Sequence, residues 1–336
     1  MLIHPIHDPL MLAAPPVIGA LPLAEALRRD WGLGGVLHPL GGERDRNFRL
    51  EREGAPPLLV KLGHPDEDPA ITDFQTRALL HLEAAAPDLP LPHMVRARNG
   101  ATERAHPAED GRTCLLRVLT YLPGRPVAPP VPAEALGELT ARLDAALAGF
   151  AHPADARRLL WDIREAPSLR EFLPDVADAG LRRLAEAALD RFEGGPSAAL
   201  TALPMQVIHN DLNPHNVLAD ADGQLAGIID FGDMVRASLL QEVATACAYL
   251  VQPGGAPLAG PAAFVAGYRR VLPLPDEQAA LLPALIATRM AMTVLITHWR
   301  ARRQPENAAY ILRNMPGARA GLEALARGAD ARAFEG

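Results

Sequence analysis

The segment from Val207 to Asp233 constrains this chain more than any other. It reads Val207-Ile208-His209-Asn210-Asp211-Leu212-Asn213-Pro214-His215-Asn216-Val217-Leu218, and then Gly227-Ile228-Ile229-Asp230-Phe231-Gly232-Asp233. The pattern is H-x-D-x-x-x-x-N, followed by an apolar run ending in D-F-G. Short apolar pairs flank the polar residues. They place these residues on a tight loop between short strands and at the mouth of a third, which are rigid positions for a site. Phosphoryl transfer to a hydroxyl asks for such groups. One carboxylate orients the hydroxyl and takes its proton, while an amide and a second carboxylate hold divalent cations that neutralise developing charge. Each motif alone arises by chance. The joint pattern, with Asn216 at the required offset from Asp211 and room for one hairpin before Asp230, is far more specific.

At 336 residues the chain exceeds one compact core and suits two lobes. Apolar residues make up 49% and charged residues 22%, an ordinary globular balance. Net charge is -7, from 33 Lys and Arg against 40 Asp and Glu. With no basic excess or stripe, a nucleic-acid partner is not expected. Cys114 and Cys247 lie far apart in apolar surroundings and read as buried small hydrophobes, which suits a reducing, cytoplasmic setting. The N-terminus lacks a basic region followed by an apolar one, so no secretory signal is expected. His4 and His7 have no further ligands nearby and read as a loose terminal segment. Leu281 to His298 approaches a membrane span in length but carries Arg289 at its centre. It is expected to be a buried helix of the larger lobe, with no membrane partner.

Along the chain, Leu23 to Trp31 reads as a helix. The run 37–50 reads as strand, polar turn, strand, and Pro57 to Leu62 as a strand ending in Lys61. Phe74, Ala78, Leu79 and Leu82 mark an amphipathic helix. Cys114 to Leu122 is a strand broken at Pro123-Gly124-Arg125-Pro126. After that break helices dominate: Leu136, Leu139, Leu143 and Leu147 share one face, and Leu169 to Phe192 reads as one further helix. The expected fold is α+β, with a small β-rich N-lobe (1–122), a hinge near Tyr121–Pro126, and a larger, mainly helical C-lobe (123–336).

The words "VIHNDLNPHNVL" and "GIIDFGDM", supported by "PLGGERDRNFRL", "LLVKLGHP", "LTYLPGRPV" and "AHPADARRLLWDI", resemble the aminoglycoside phosphotransferase and choline kinase superfamily, relatives of the protein kinases. The resemblance spans about residues 35 to 250, and its flavour is that of the hydroxylysine kinase branch. It implies a protein-kinase-like fold and ATP or GTP as co-substrate. Asp211 would be the catalytic base, and His209 an anchor bonded to the backbone around Asp230. Asn216 and Asp230 would bind Mg²⁺, and Lys61 the α- and β-phosphates. The turn carrying Gly41, Gly42, Arg44 and Asn47 would lie over the phosphates, where missing side chains permit close approach. Thr120, Tyr121 and Leu122 belong to a hinge whose backbone would meet the purine. The implied cleft for the nucleotide lies between the lobes.

One departure stands out. The kinase lysine normally pairs with a helical glutamate, and the expected place holds Gln75, an amide without countercharge. Either Gln75 suffices, or Asp73 or Glu67 does the pairing. A protein kinase proper is disfavoured, because there is no G-x-G-x-x-G loop, no H-R-D and no A-P-E. The expected acceptor is a small molecule bearing a hydroxyl on an amine or amino acid, with 5-hydroxylysine first. Asp233 and Glu242 are candidates to meet its ammonium, and Arg236 or Arg289 its carboxylate. An aminoglycoside, homoserine or choline-type acceptor remains open, as do a nucleotide-binding pseudokinase and a homodimer.

Overall fold

A computed structural model describes residues 8–129, 131–328 and 331–334; His4 and His7 lie outside them. The chain divides into two units, one made of Pro9–Pro123 with the short segment His152–Ala154, the other of the remaining described residues.

The first unit is a five-stranded antiparallel sheet with one helix before its strands and one between the third and the fourth. Helix α1 (Ala20–Asp30) leads into strands β1 (Val36–Leu40), β2 (Arg46–Arg52) and β3 (Ala55–Leu62). Helix α2 (Pro69–Ala85) follows, then β4 (Glu103–Pro107) and β5 (Thr113–Thr120), with sheet order β1-β2-β3-β5-β4. Alternation sorts the side chains. Phe48, Val60 and Val118 stand in register across three strands and join Leu50, Leu58, Leu62 and Leu116 in a core closed by Leu23, Leu27 and Trp31. Asn47, Lys61 and Arg117 are also in register with one another, one residue out of phase with that apolar row. Helix α2 starts where the Asp68 carboxylate accepts the Ala70 N–H, with Pro69 at the first helical position. The strand at Glu103–Pro107 was not expected; its sequence lacks the alternation that marks a strand.

The second unit begins with β6 (Arg125–Pro126) and α3 (Ala133–Ala146). Helices α4 (Ala179–Glu193) and α5 (Pro196–Ala202) precede β7 (Met205–Ile208), β8 (Val217–Ala219), β9 (Leu225–Ile228) and β10 (Val235–Ser238). Then come α6 (Leu239–Cys247), α7 (Ala259–Tyr268), α8 (Asp276–Ala279), α9 (Leu282–Arg303), α10 (Ala308–Ile311) and α11 (Met315–Ala326). The expectation of one helix from Leu169 to Phe192 is corrected. A 3₁₀ stretch, Ile163–Asp175, ends at Pro174, whose missing N–H cannot continue a ladder. A new helix starts where Asp178 accepts the N–H groups of Gly180 and Leu181.

Helix α9 is the axis of this unit. By length and hydropathy it qualifies as a membrane span, yet 83% of its most apolar window is buried inside the protein. Trp299 on α9 stacks on Phe172 with ring centroids 4.6 Å apart. Helices α3 and α7 cross closely because Gly137 and Gly267 face backbone: a side chain at either would collide with the Phe264 or Glu134 carbonyl. Cys114 and Cys247 are free and buried.

Candidate active site

The strands β7, β8 and β9 frame the H-x-D-x-x-x-x-N and D-F-G words of the sequence. Strand β7 pairs antiparallel with β10, and β8 forms a hairpin with β9. Between β7 and β8 the loop 209–216 folds on its own hydrogen bonds. The Asn213 N–H reaches the Asp211 carbonyl at 2.8 Å, and the Asn216 N–H the Asn213 carbonyl at 3.0 Å. The loop docks on β9 where the Ile229 N–H donates to the Asn216 carbonyl at 2.9 Å.

His209 ties these pieces together. Its Nε2–H donates to the Ile229 carbonyl at 3.1 Å, and its Nδ1 accepts the Asp211 N–H at 3.3 Å. A carbonyl only accepts and an N–H only donates, so the tautomer is fixed. Burial pushes the imidazole down to about 4, against the pull of Asp230, so it is neutral. Phe231 meets its ring edge-on at 4.8 Å.

Two residues of the site adopt left-handed backbone: Asn210 at φ 65° and Asp230 at φ 63°. Asn and Asp tolerate this region better than other side chains, but it still carries strain that the surroundings must impose. At Asn210 the surroundings are Glu242. Its carboxylate accepts the His209 N–H at 3.0 Å and the Asn210 N–H at 2.7 Å. Glu242 has no exposed surface. The expectation that it meets an acceptor's ammonium is therefore corrected: it is a brace under the loop. Burial, then the neighbouring Asp144, raise its carboxyl far above the usual range.

Asp211 is the best-served side chain of the loop. Oδ1 accepts from Asn213 Nδ2 at 2.9 Å and Oδ2 from Asn216 Nδ2 at 2.7 Å. Arg289 on α9 brings Nη2 to 3.5 Å from Oδ1. Burial and then the charge of Asp233 push the Asp211 carboxyl up to about 8, with Arg289 pulling the other way. Because Asn216 spends its nitrogen on Asp211, its amide oxygen is left for another partner, and no described donor takes it. That oxygen and the exposed Asp230 carboxylate are both hard oxygen donors, the type magnesium prefers. Among the described residues, no three His, Cys, Asp or Glu side chains are grouped to hold a metal. Any cation here would need its remaining ligands from a phosphate chain or water.

In the other unit, Lys61 Nζ lies 2.9 Å from Asp45 Oδ2. Burial works against the Asp45 charge, but Lys61 outweighs it and holds the carboxyl below its usual range. The sequence offers Gln75, Asp73 or Glu67 as the partner of Lys61. Gln75 instead accepts from Arg117 Nη2 at 2.9 Å, and Asp73 bonds His152 and Arg77. Gly41 and Gly42 sit in the turn as expected, where the Gly41 carbonyl accepts from Asn47 Nδ2 at 3.4 Å; Arg44 is half-buried beside them. Thr120 bonds His93 through both its backbone N–H and its hydroxyl, and the Tyr121 N–H reaches the Pro57 carbonyl. Leu122 is half-buried.

Asp233 is half-buried at the end of the short 3₁₀ turn Phe231–Asp233. Arg236 is exposed on β10 and pairs with Asp155 at 3.7 Å. Sequence reasoning missed Asp45, Arg117, Asn213 and Trp161. A lone arginine inside the apolar run "CLLRVLT" was a usable signal for Arg117. Nothing local pointed to the others.

A strand-framed loop of this kind in one unit and a lysine-bearing antiparallel sheet in the other are the marks of a phosphotransferase of the protein-kinase-like fold class. The family model described as the phosphotransferase enzyme family, APH, matches residues 36–281, and the chain belongs to that family. Hydroxylysine kinase from Mus musculus is 26% identical over 304 residues, covering 82% of this chain and 80% of that protein. Homoserine kinase from Beijerinckia indica is 33% identical over 186 residues, 53% of this chain and 57% of that protein. Among solved structures, amicoumacin kinase in complex with AMP-PNP, Ca²⁺ and Ami aligns with a TM-score of 0.68 at 16% identity, covering 93% and 94% of the two chains. This protein is a small-molecule kinase with an alcohol group as acceptor.

Proposed function

We propose that the chain transfers the γ-phosphoryl group of ATP or GTP to the hydroxyl of a small amino acid, 5-hydroxylysine first among candidates. The observation that carries this reading is the pair of amide bonds from Asn213 and Asn216 onto Asp211. They fix both carboxylate oxygens in place while the side chain stays 21% exposed, the state a positioned base needs. The similarity to hydroxylysine kinases over most of the chain supports the acceptor class.

In this reading Asp211, ionised, orients the acceptor hydroxyl and receives its proton. The hydroxyl oxygen forms the new bond to phosphorus as the bond to the nucleoside diphosphate breaks, and the electron pair leaves with the diphosphate. Lys61 binds the phosphates and is oriented by Asp45. Asn216 and Asp230 would hold the divalent cation, which would neutralise charge on the phosphates. Neutral His209 takes no proton; it keeps the loop and the Ile229–Asp230 backbone in register. The expected compartment is the cytoplasm.

The test is a coupled assay of both nucleotides, with magnesium, against hydroxylysine, homoserine, choline and kanamycin. Phosphorylation of hydroxylysine that vanishes in Asp211→Asn supports the reading. Preference for kanamycin, or transfer that survives Asp211→Asn, refutes it.

A further inference from the structure

We infer that Arg289 is the carboxylate clamp of the acceptor site, so that the substrate is a hydroxylated amino acid and not a simple amino alcohol or an aminoglycoside. This rests on the phosphotransfer reading above and names its substrate class.

Arg289 stands in the middle of α9 with only 1% of its surface exposed. Burying a guanidinium costs several kcal/mol unless its N–H groups are satisfied. Here they are not. Nε and Nη1 are buried with no hydrogen-bond partner, and Nη2 makes one long contact, 3.5 Å to Asp211. A structural counter-ion would take a carboxylate through two short parallel bonds. Asp211 makes no such pair: its one approach is the 3.5 Å contact of Oδ1 with Nη2, while Asn213 and Asn216 each donate to one of its oxygens. Buried donors left unpaired in a folded protein call for a partner that arrives.

The surroundings specify that partner. The guanidinium carbon lies over the Trp161 ring, 4.6 Å from its centroid, a cation–π contact that helps position the cation before any ligand comes. A planar, fixed, unsatisfied guanidinium matches a planar anion with two oxygens. Its distance to Asp211 sets the rest. A molecule whose hydroxyl reaches the exposed part of Asp211 brings any group a few bonds away to the guanidinium. A hydroxyl a few carbons from a carboxylate meets both demands. A polycation without a carboxylate leaves those donors unpaired and adds positive charge beside the guanidinium.

The bland alternative is that Arg289 serves only as countercharge to Asp211. It predicts equal damage to every acceptor when Arg289 is removed, whereas a clamp predicts damage confined to acceptors with a carboxylate. The experiment therefore compares matched pairs: 5-hydroxylysine with its decarboxylated diamino alcohol, and homoserine with aminopropanol. The full-length chain, Arg289→Gln and Arg289→Lys are assayed with magnesium and nucleotide, and acceptor binding is followed by calorimetry.

The wild type is expected to favour the acid of a pair by about 100-fold or more in kcat/KM. In Arg289→Gln that ratio falls to within about tenfold, through KM for the acid, and Arg289→Lys keeps part of it. A wild type that does not distinguish the members of a pair overturns the clamp without reference to any variant. So does an Arg289→Gln protein whose ratio is unchanged because both acceptors lose alike. A wild type that binds nucleotide and phosphorylates neither member takes the phosphotransfer reading down as well, which separates the two failures.

Discussion

Lys61 Nζ and Asp45 Oδ2 are 2.9 Å apart, which gives the strand lysine a carboxylate from the β1–β2 turn. Both side chains are largely buried, 15% and 21% exposed, so the pair is held more firmly than a surface ion pair. An orienting role makes the two residues act as one. Asp45→Asn keeps the size and loses the charge; it is expected to raise KM for the nucleotide by about three- to tenfold. Lys61→Met should cost more. The double variant should be no worse than Lys61→Met alone, because paired residues are not additive. Steady-state kinetics with nucleotide as the varied substrate checks this, and additive losses would show that the pair is incidental.

The raised Asp211 carboxyl has a direct kinetic consequence. A base must be ionised to take a proton, and burial, then the charge of Asp233, push this carboxyl up to about 8. Below that value kcat/KM for the acceptor should therefore fall with pH, and above it reach a plateau. After burial, the largest upward push is the charge of Asp233. Asp233→Asn removes it, so the acidic limb should move to lower pH. Asp211→Asn should lose about 10²- to 10⁴-fold in turnover at every pH. A pH–rate series on the three proteins decides; an unmoved limb in Asp233→Asn would remove that residue from the electrostatics of the base.

Glu242 bonds the backbone of the loop and is therefore expected to act on both stability and rate. Glu242→Gln exchanges one acceptor oxygen for an NH₂ that faces a buried N–H, leaving a donor unsatisfied. The expected cost is about 1–3 kcal/mol in a urea titration. Turnover should fall as well, because the left-handed Asn210 that this carboxylate holds is the residue before Asp211. A variant destabilised but with full turnover would show that the loop keeps its shape without the brace.

What the sequence made legible was what neighbours in the chain encode. His209, Asp211, Asn216 and Asp230 lie in one continuous strand-loop-hairpin unit, whose apolar pairs and offsets are visible by eye. The strands that carry Phe48, Val60 and Val118 were legible as strands, though their register was not. Partners brought from far away were not. Asp45 and Lys61 meet only because β2 and β3 pair. Glu242 read as a free acid after D-F-G because no local pattern says that α6 turns it beneath the loop. The single helix expected from Leu169 failed for another reason: its apolar periodicity runs past Pro174, and the cap at Asp178 is weaker to the eye than the heptad-like spacing around it.

Asp144 gives a test of the buried carboxyls that needs no substrate. It lies on α3 without exposed surface, accepts the Tyr268 hydroxyl on Oδ2 at 2.8 Å, and leaves Oδ1 buried without a partner. Burial pushes its carboxyl up from 3.8 to about 8, against the smaller opposing effect of the Tyr268 bond. The folded state therefore keeps a proton that the unfolded chain releases above its own, lower pKa. Stability linked to the neutral carboxyl is complete below the unfolded value and is lost as pH rises through about 8. Asp144→Asn preserves an oxygen for Tyr268 and cannot ionise. Between about pH 5 and about pH 9, the urea midpoint of the wild type should drop more steeply than that of Asp144→Asn. Parallel slopes for the two proteins would mean that Asp144 is ionised in the fold and that a cation or water, not a proton, satisfies Oδ1.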